Sequence, residues 1–268
     1  MNVPGAVQPL LQEADQLLGE ASRRGLVLRL AGSAGVLRHC DNCRDAASAL
    51  GREPPLDLDF FAYRKQQREL GRMFTSLGYR ADPSVAYSQE YGIDRLIYLG
   101  HGAAAKVDIF LDTLRMSHTI QFKGRLNGPG PTALPAYLLL AKLQIHEITE
   151  KDIKDIAALL ASHPLGDGSD SSIDSRHVTG LMAHDWGLCH TTLGNLTIAE
   201  RLLAGWTPAG GVVAAATARV QELRQQIEVE PKSLRWKARA KMGTRVRWYE
   251  DVGDAEQQGQ GDAGLRER

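Results

Sequence analysis

Apolar residues recur at helical spacing from Val7 to Arg23, where Leu10, Leu11, Ala14, Leu17, Leu18 and Ala21 are set against Gln12, Glu13, Asp15 and Glu20. That pattern predicts an amphipathic first helix, which Gly25 ends. Leu26 to Ala31 then reads as a short buried strand running into Gly32-Ser33, and the apolar positions Ala34, Val36 and Leu37 open a second helix that reaches Cys40. Asp41 to Pro55 is polar and closes on Pro54-Pro55, so it reads as a connection. Leu56 to Phe61 alternates as a strand, and Phe61 to Leu77 places Leu70, Met73, Phe74 and Leu77 on one helical side against Arg64, Lys65, Arg68, Glu69 and Arg72. Tyr79 to Gln89 and Arg95 to Gly100 predict two strands around Glu90-Tyr91-Gly92, and Ala105 to Leu111 a third.

The pattern changes at Asn127-Gly128-Pro129-Gly130-Pro131. Beyond it the periodicity is helical: Thr132 to Glu147, Lys151 to Ser162 with Thr149 as N-cap and Asp152 as its acidic partner, then Ile173 to Cys189, Leu193 to Leu203 and Val212 to Glu228. Gly166 to Ser172 reads as a polar loop. The fold class expected is therefore α/β in the α+β sense, a mixed sheet flanked by helices and followed by a helical C-terminal half. Four segments follow: 1–126 as the α/β domain, 127–230 as the helical domain, 231–252 as a basic aromatic segment, and 253–268 as a Gly-, Gln- and acid-rich tail whose composition reads as disordered.

Composition narrows the classes of function. The 268 residues are 43% hydrophobic and 24% charged, with 32 Lys and Arg balancing 32 Asp and Glu, so no global field draws the chain to nucleic acid or membrane and any electrostatic preference is local. No segment has the roughly 20 apolar residues of a membrane span, and the amino terminus has no leader pattern, so a cytoplasmic location is expected. Cys40, Cys43 and Cys189 are too few for a disulfide framework, which agrees with a reducing compartment. Cys40 and Cys43 form a Cys-x-x-Cys beside His39, but a structural zinc would need a fourth, distant ligand such as Cys189 or His190.

Candidate chemistry gathers around Leu56-Asp57-Leu58-Asp59-Phe60-Phe61. Side chains alternate along a strand, so Asp57 and Asp59 share one face, and two crowded carboxylates invite a hard divalent cation such as Mg²⁺. Asp108 lies inside the apolar run Val107-Asp108-Ile109-Phe110, where a carboxylate needs a partner; a metal shared with Asp57 and Asp59 would supply one. Asp112, at the end of that run, reads as a turn residue. Strand, Gly32-Ser33 and helix start form a place where backbone N–H groups can hold phosphate, or else a tight turn capped by Ser33. His118, His146 and His184 read as structural histidines, the first two also as neighbours of substrate. Pro231 to Tyr249 carries Lys232, Arg235, Lys237, Arg239, Lys241, Arg245 and Arg247 with Trp236, Trp248 and Tyr249 and no acid. Arg235, Trp236, Lys237, Arg239 and Lys241 are thus candidates for phosphate contact and base stacking, with docking of the tryptophans into the protein as the alternative.

In sequence order these features resemble the nucleotidyltransferase fold of the DNA polymerase β superfamily, and within it the bacterial nucleotidyltransferases near the AbiEii toxin group. The resemblance extends to Leu134-Pro135 with Leu138-Leu139-Leu140-Ala141-Lys142-Leu143-Gln144, to Glu150-Lys151-Asp152-Ile153-Lys154-Asp155-Ile156, to Asp185-Trp186-Gly187-Leu188, and to Pro231-Lys232-Ser233-Leu234-Arg235-Trp236 through Arg247-Trp248-Tyr249-Glu250, so it covers nearly the whole chain. It implies that Gly32 and Ser33 contact the nucleotide phosphates, that Asp57, Asp59 and Asp108 bind one or two Mg²⁺ ions, and that Lys142 reaches the triphosphate from the helical half. It also lets Asp108 accept the acceptor hydroxyl's proton. The expected activity is transfer of a nucleoside monophosphate from an NTP to RNA, protein or a small molecule with release of pyrophosphate, compatible with a toxin role. The competing expectation is a non-catalytic nucleotide- or RNA-binding module that kept the fold.

Overall fold

A computed structural model describes residues 4–39, 41–83, 95–100, 102–128, 130–169, 171–206 and 211–251. Cys40, most of the Tyr79 to Gln89 run with its following turn, and the 253–268 tail lie outside the described residues. The protein is mixed α/β, and its chain forms two compact units, one of residues 1–44, 53–115 and 120–134, the other of residues 45–52, 116–119 and 135–268. Residues 127–134, placed by composition with the helical part, join the first unit: Leu30 N donates to Pro131 O and Ala133 N to Leu30 O.

The first unit is built on strands β1 (Leu28–Ala31), β2 (Leu58–Ala62), β3 (Arg80–Ala81), β4 (Arg95–Leu99) and β5 (Lys106–Leu111), ordered β1-β2-β5-β4-β3. β2 runs parallel to β5, and the other pairings are antiparallel. Alternation along these strands sorts the side chains onto two faces. Leu30, Leu58, Phe60, Val107 and Ile109, all fully buried, share one face of the core. The opposite face carries Asp59, Asp108 and Lys106 toward one end and Phe61 and Phe110 toward the other, where Phe122 stacks on Phe61 at 4.3 Å. Helices α1 (Pro4–Arg23) and α2 (Gly32–His39) pack on β1 and β2.

One buried carboxylate ties α1 to the turn that leads into β5. Glu13, 7% exposed, accepts Tyr79 Oη at 2.5 Å on Oε1, and Ala103 N at 2.5 Å and Ala104 N at 2.9 Å on Oε2. Burial, followed by the Glu13 contact, raises the Tyr79 phenol so that it stays a donor. A Cβ at Gly102 would fall 2.6 Å from Glu13 Oε2, so a glycine is required where this turn meets the carboxylate.

Two boundaries here differ from the periodicity reading, and one agrees with it. Asp41 to Pro55 is not a bare connection: α3 (Asp41–Ala49) forms because Cys43, Ala46, Ala47 and Leu50 make a buried stripe of mostly small residues at helical spacing. The Phe61 to Leu77 helix begins later. Phe61 and Ala62 complete β2, a 3-10 turn covers Arg64–Gln66, and α4 is Gln67–Ser76. Asp112 does form a turn, with φ 60 and its Oδ1 accepting Arg64 N at 3.3 Å.

The second unit is helical: α5 (Pro135–Leu143), α6 (Glu150–Ser162), α7 (Ser175–His184), α8 (Trp186–Gly205), α9 (Val212–Val229) and α10 (Leu234–Ala240). α6 opens on a full capping box between Thr149 and Asp152, the arrangement the sequence predicts. The Ile173 to Cys189 run is broken at Asp185, whose carboxylate accepts Leu188 N at 3.0 Å and starts α8, and α8 continues through the gap expected before Leu193. No helix among the described residues is long and apolar enough to cross a membrane.

Candidate functional site

The carboxylates come from two neighbouring strands of the first unit. Asp59 on β2 is in register with Asp108 on β5, and Asp57 precedes β2 by one residue. Parallel pairing places Asp59 and Asp108 abreast on one face, while Asp57 stands in a bend just before the strand begins. Asp57 and Asp59 are half-buried, whereas Asp108 is 2% exposed.

Gly32 fits against this group from the neighbouring strand. β1 is antiparallel to β2 with Ala31 opposite Asp59, so the chain leaves β1 beside that carboxylate and enters α2 at once. Gly32 has φ +58, and a Cβ there would lie 1.9 Å from Asp59 Oδ2. A side chain is excluded both by conformation and by space. Ser33, half-buried, follows in the first turn of α2, where backbone N–H groups lack partners within the helix.

Asp108 has a partner that the sequence reading did not assign. Arg95 forms a fork on it, Nη2 to Oδ2 at 2.8 Å and Nε to Oδ1 at 3.2 Å, and Lys106 Nζ lies 2.9 Å from Oδ2. A buried carboxylate needs compensation, and two cations on the same sheet face supply it in place of the shared metal expected from sequence. Lys106 was legible, because a residue two before Asp108 in a strand shares its face. Arg95 was not, because its proximity depends on the β4–β5 register, Arg95 opposite Phe110 and Ile97 opposite Asp108.

For Mg²⁺ the fit is divided. Carboxylate oxygens abreast on one face are the donors that hard cations take, and the missing Cβ at Gly32 leaves Asp59 room. Asp108 does not fit as it stands, since both its oxygens are bonded to Arg95 and Lys106. Among the described residues no three His, Cys, Asp or Glu side chains are gathered as a metal-holding group.

The second unit places the remaining candidates. Lys142 on α5 is 8% exposed, with Nζ 2.9 Å from Asp152 Oδ1 and 3.0 Å from Asp155 Oδ2, while Arg52 Nε donates to Asp155 Oδ1 at 2.9 Å. Two cations and two carboxylates thus close a buried quartet. Burial opposes the charge on Lys142, but Asp152 and Asp155 outweigh it and raise its pKa. Lys142 holds α5 to α6 in this arrangement.

The C-terminal segment packs on α8. Trp248 Nε1 donates to Thr191 Oγ1 at 3.1 Å, Tyr249 stacks on His146 at 3.6 Å, and the Arg239 guanidinium sits 4.6 Å from the centre of the Trp186 ring. A Cβ at Gly187 would meet Trp248 O at 2.7 Å, so glycine in the first turn of α8 admits this backbone. Of the nucleic-acid candidates, Arg239 also donates to Gly243 O and Val246 O, and Trp236 is half-buried, whereas Arg235, Lys237 and Lys241 are exposed. His118 is buried, bonded through Nε2 to Thr191 Oγ1 at 2.9 Å, and burial pulls its pKa down to about 4 with Asp185 opposing. Cys43 and Cys189 are buried, and burial raises the Cys189 thiol.

No protein-family model, no curated protein and no solved structure matches this chain.

Proposed function

We propose that this protein is an Mg²⁺-dependent nucleotidyltransferase whose active face is the Asp57, Asp59 and Asp108 side of the sheet in the first unit. The observation that carries the reading is the contact of Gly32 with Asp59: a glycine with φ +58, at the start of a helix, leaves room for no atom between its backbone and a carboxylate that stands in register with a second one. A turn needed only to connect β1 to α2 would not require that closeness.

In this reading Gly32 and Ser33 bring the amino-terminal N–H groups of α2 to the phosphates. Asp57 and Asp59 are the residues that would hold Mg²⁺, which when bound would neutralise charge on the α-phosphate and the departing pyrophosphate. Arg95 and Lys106 add positive charge on the same face. The acceptor is a hydroxyl or phosphate of RNA, protein or a small molecule. Incubation with Mg²⁺ and each α-labelled NTP, together with cellular RNA and protein, should transfer label in wild type and fail in Asp59→Asn. Equal transfer by the two proteins, or none by either, overturns the proposal.

One observation favours a second reading, a binding module without catalysis. With Arg95 and Lys106 on Asp108 the acidic face is stable without a metal, so its carboxylates need no catalytic return for their crowding. NTP binding that is insensitive to Mg²⁺, with no label transferred, would establish that alternative.

A further inference from the structure

We infer that the outward side of α10, with the turn that follows it, is a docking surface for an anionic lipid membrane, on which the helical unit lies without crossing it. Ser233 caps this helix by accepting Trp236 N, and Lys241 and Met242 keep helical backbone angles beyond Ala240. At about 100° per residue the positions divide into two arcs. Trp236, Arg239 and Ala240 fall on one arc and are half-buried, whereas Leu234, Arg235, Lys237, Ala238, Lys241 and Met242 fall on the other and are exposed. Leu234, Ala238 and Met242 recur every fourth residue and make an apolar line along the outside, flanked by Lys237 and Lys241 on one side and Arg235 on the other. Leu234 is 85% exposed, and Met242 and Val246 are 45% exposed, so half of the exposed large apolar side chains among the described residues stand within this stretch.

The charges beside that line are available to a partner. Among the described residues the side chains of Arg235, Lys237 and Lys241 make no hydrogen bond or ion pair. Residues 231–249 contain no acid; Glu230 before them accepts Thr179 Oγ1 at 3.4 Å, Asp251 after them pairs with Arg247, and Glu250 is the exposed acid next in sequence. The partner is therefore an anion that also takes aliphatic side chains. Single-stranded RNA combines phosphate contacts with stacking on aromatic rings. Here the rings are turned to the protein: Trp248 and Tyr249 pack on Trp186 and His146, and Trp236 lies under Lys232, whose Nζ is 5.9 Å from the ring centre. A protein interface sheds lysine and gathers aromatic residues at its centre, the reverse of this composition. An anionic leaflet uses both kinds of group at once, since cations meet the headgroups while aliphatic side chains enter the acyl boundary. With 32 basic and 32 acidic residues in the whole chain, the attraction is that of this patch and not of the net charge.

Flotation of the full chain with vesicles tests the assignment, using phosphatidylcholine alone and phosphatidylcholine with about one-third phosphatidylserine. Wild type should float with the anionic vesicles, stay behind with the neutral ones, and be released as salt rises. Each cation contributes roughly fivefold to the partition, so Arg235→Gln/Lys237→Gln/Lys241→Gln should reduce it about a hundredfold. Leu234→Ser/Met242→Ser leaves every charge in place and should reduce it roughly tenfold or more. The same variant should bind single-stranded oligouridylate as wild type does, since RNA offers no apolar phase. Leu56→Ser, a loss of an apolar side chain 73% exposed in the first unit, should change neither measurement. All of these positions are exposed, so every variant should keep the Tm of wild type. The proposal fails if wild type floats with neither vesicle. It fails equally if the cation variant loses flotation while Leu234→Ser/Met242→Ser keeps it, which would leave a polyanion surface open to RNA. A wild type that sediments as a dimer, with Leu234→Ser/Met242→Ser as a monomer, would also overturn it by assigning the apolar line to a second copy of the chain.

Discussion

Replacing Lys142 with Met separates a catalytic from a structural lysine. The ammonium lies 2.9 Å from Asp152 and 3.0 Å from Asp155, and Asp155 is completely buried. Methionine keeps the length and removes the charge, leaving Arg52 to compensate two carboxylates. Breaking a buried pair costs about 3–5 kcal/mol, and since Arg52 still donates to Asp155 at 2.9 Å the lower end applies, about 3 kcal/mol. For a chain of this size that is a fall in Tm of roughly 6–12 °C. Tryptophan fluorescence is a suitable assay because Trp186, Trp206, Trp236 and Trp248 all belong to the helical unit. Adding Asp152→Asn to Lys142→Met should restore about 1–2 kcal/mol by removing the uncompensated charge, while the amide oxygen keeps the cap. The raised pKa fixes the sign with pH: the contribution is complete below the ordinary lysine value of 10.5 and is lost only as pH rises beyond it, so the difference in Tm stays constant from pH 6 to 9. A Lys142→Met protein that melts within 2 °C of wild type would refute the quartet and return Lys142 to the nucleotide.

The other predictions use different handles. His118 is held neutral, with its pKa lowered from 6.5 to about 4, so the stability it contributes is present above pH 6.5 and is lost as pH falls toward 4. Between pH 7.5 and 4.5 wild type should lose roughly 2–3 kcal/mol more than His118→Gln in urea titrations, and parallel acid limbs would argue against a buried neutral imidazole. Gly32→Ala must displace Asp59, so Mg·NTP binding should drop at least tenfold by dialysis, whereas Gly19→Ala, with nothing within 4 Å of its added Cβ, should bind as wild type. Trp248→Ala should cost about 2–3 kcal/mol in thermal unfolding, because the indole packs on Trp186 and bonds Thr191. Charge removal at exposed Arg235, Lys237 and Lys241 should leave Tm unchanged and lower the salt slope of single-stranded RNA binding by about 2; an unaltered slope would remove RNA from this face.

What the sequence disclosed depended on the range of the interaction. Alternation around Asp57 and Asp59 and the apolar run around Asp108 located β2 and β5, because a two-residue period is local information. The capping box at Thr149 was legible for the same reason: its two partners are three residues apart. α3 was hidden because its buried stripe is Cys43, Ala46 and Ala47, small residues between charged neighbours that score as polar until they are packed. The largest revision concerns Lys142 and Arg95, and it has one physical cause. A lone basic residue in an apolar helix or at a strand start must be paired somewhere, but the chain does not say with whom; Asp155 answers for Lys142 through helix packing, and Asp108 answers for Arg95 through strand register. The two lysines near these acids consequently differ in kind. Lys142 is closed in a neutral quartet with no charge to lend a ligand, whereas Lys106 can change partner without leaving a buried carboxylate unpaired, because Arg95 remains on Asp108. It is therefore Lys106, and not Lys142, whose removal should weaken binding of the nucleotide while the protein keeps its Tm.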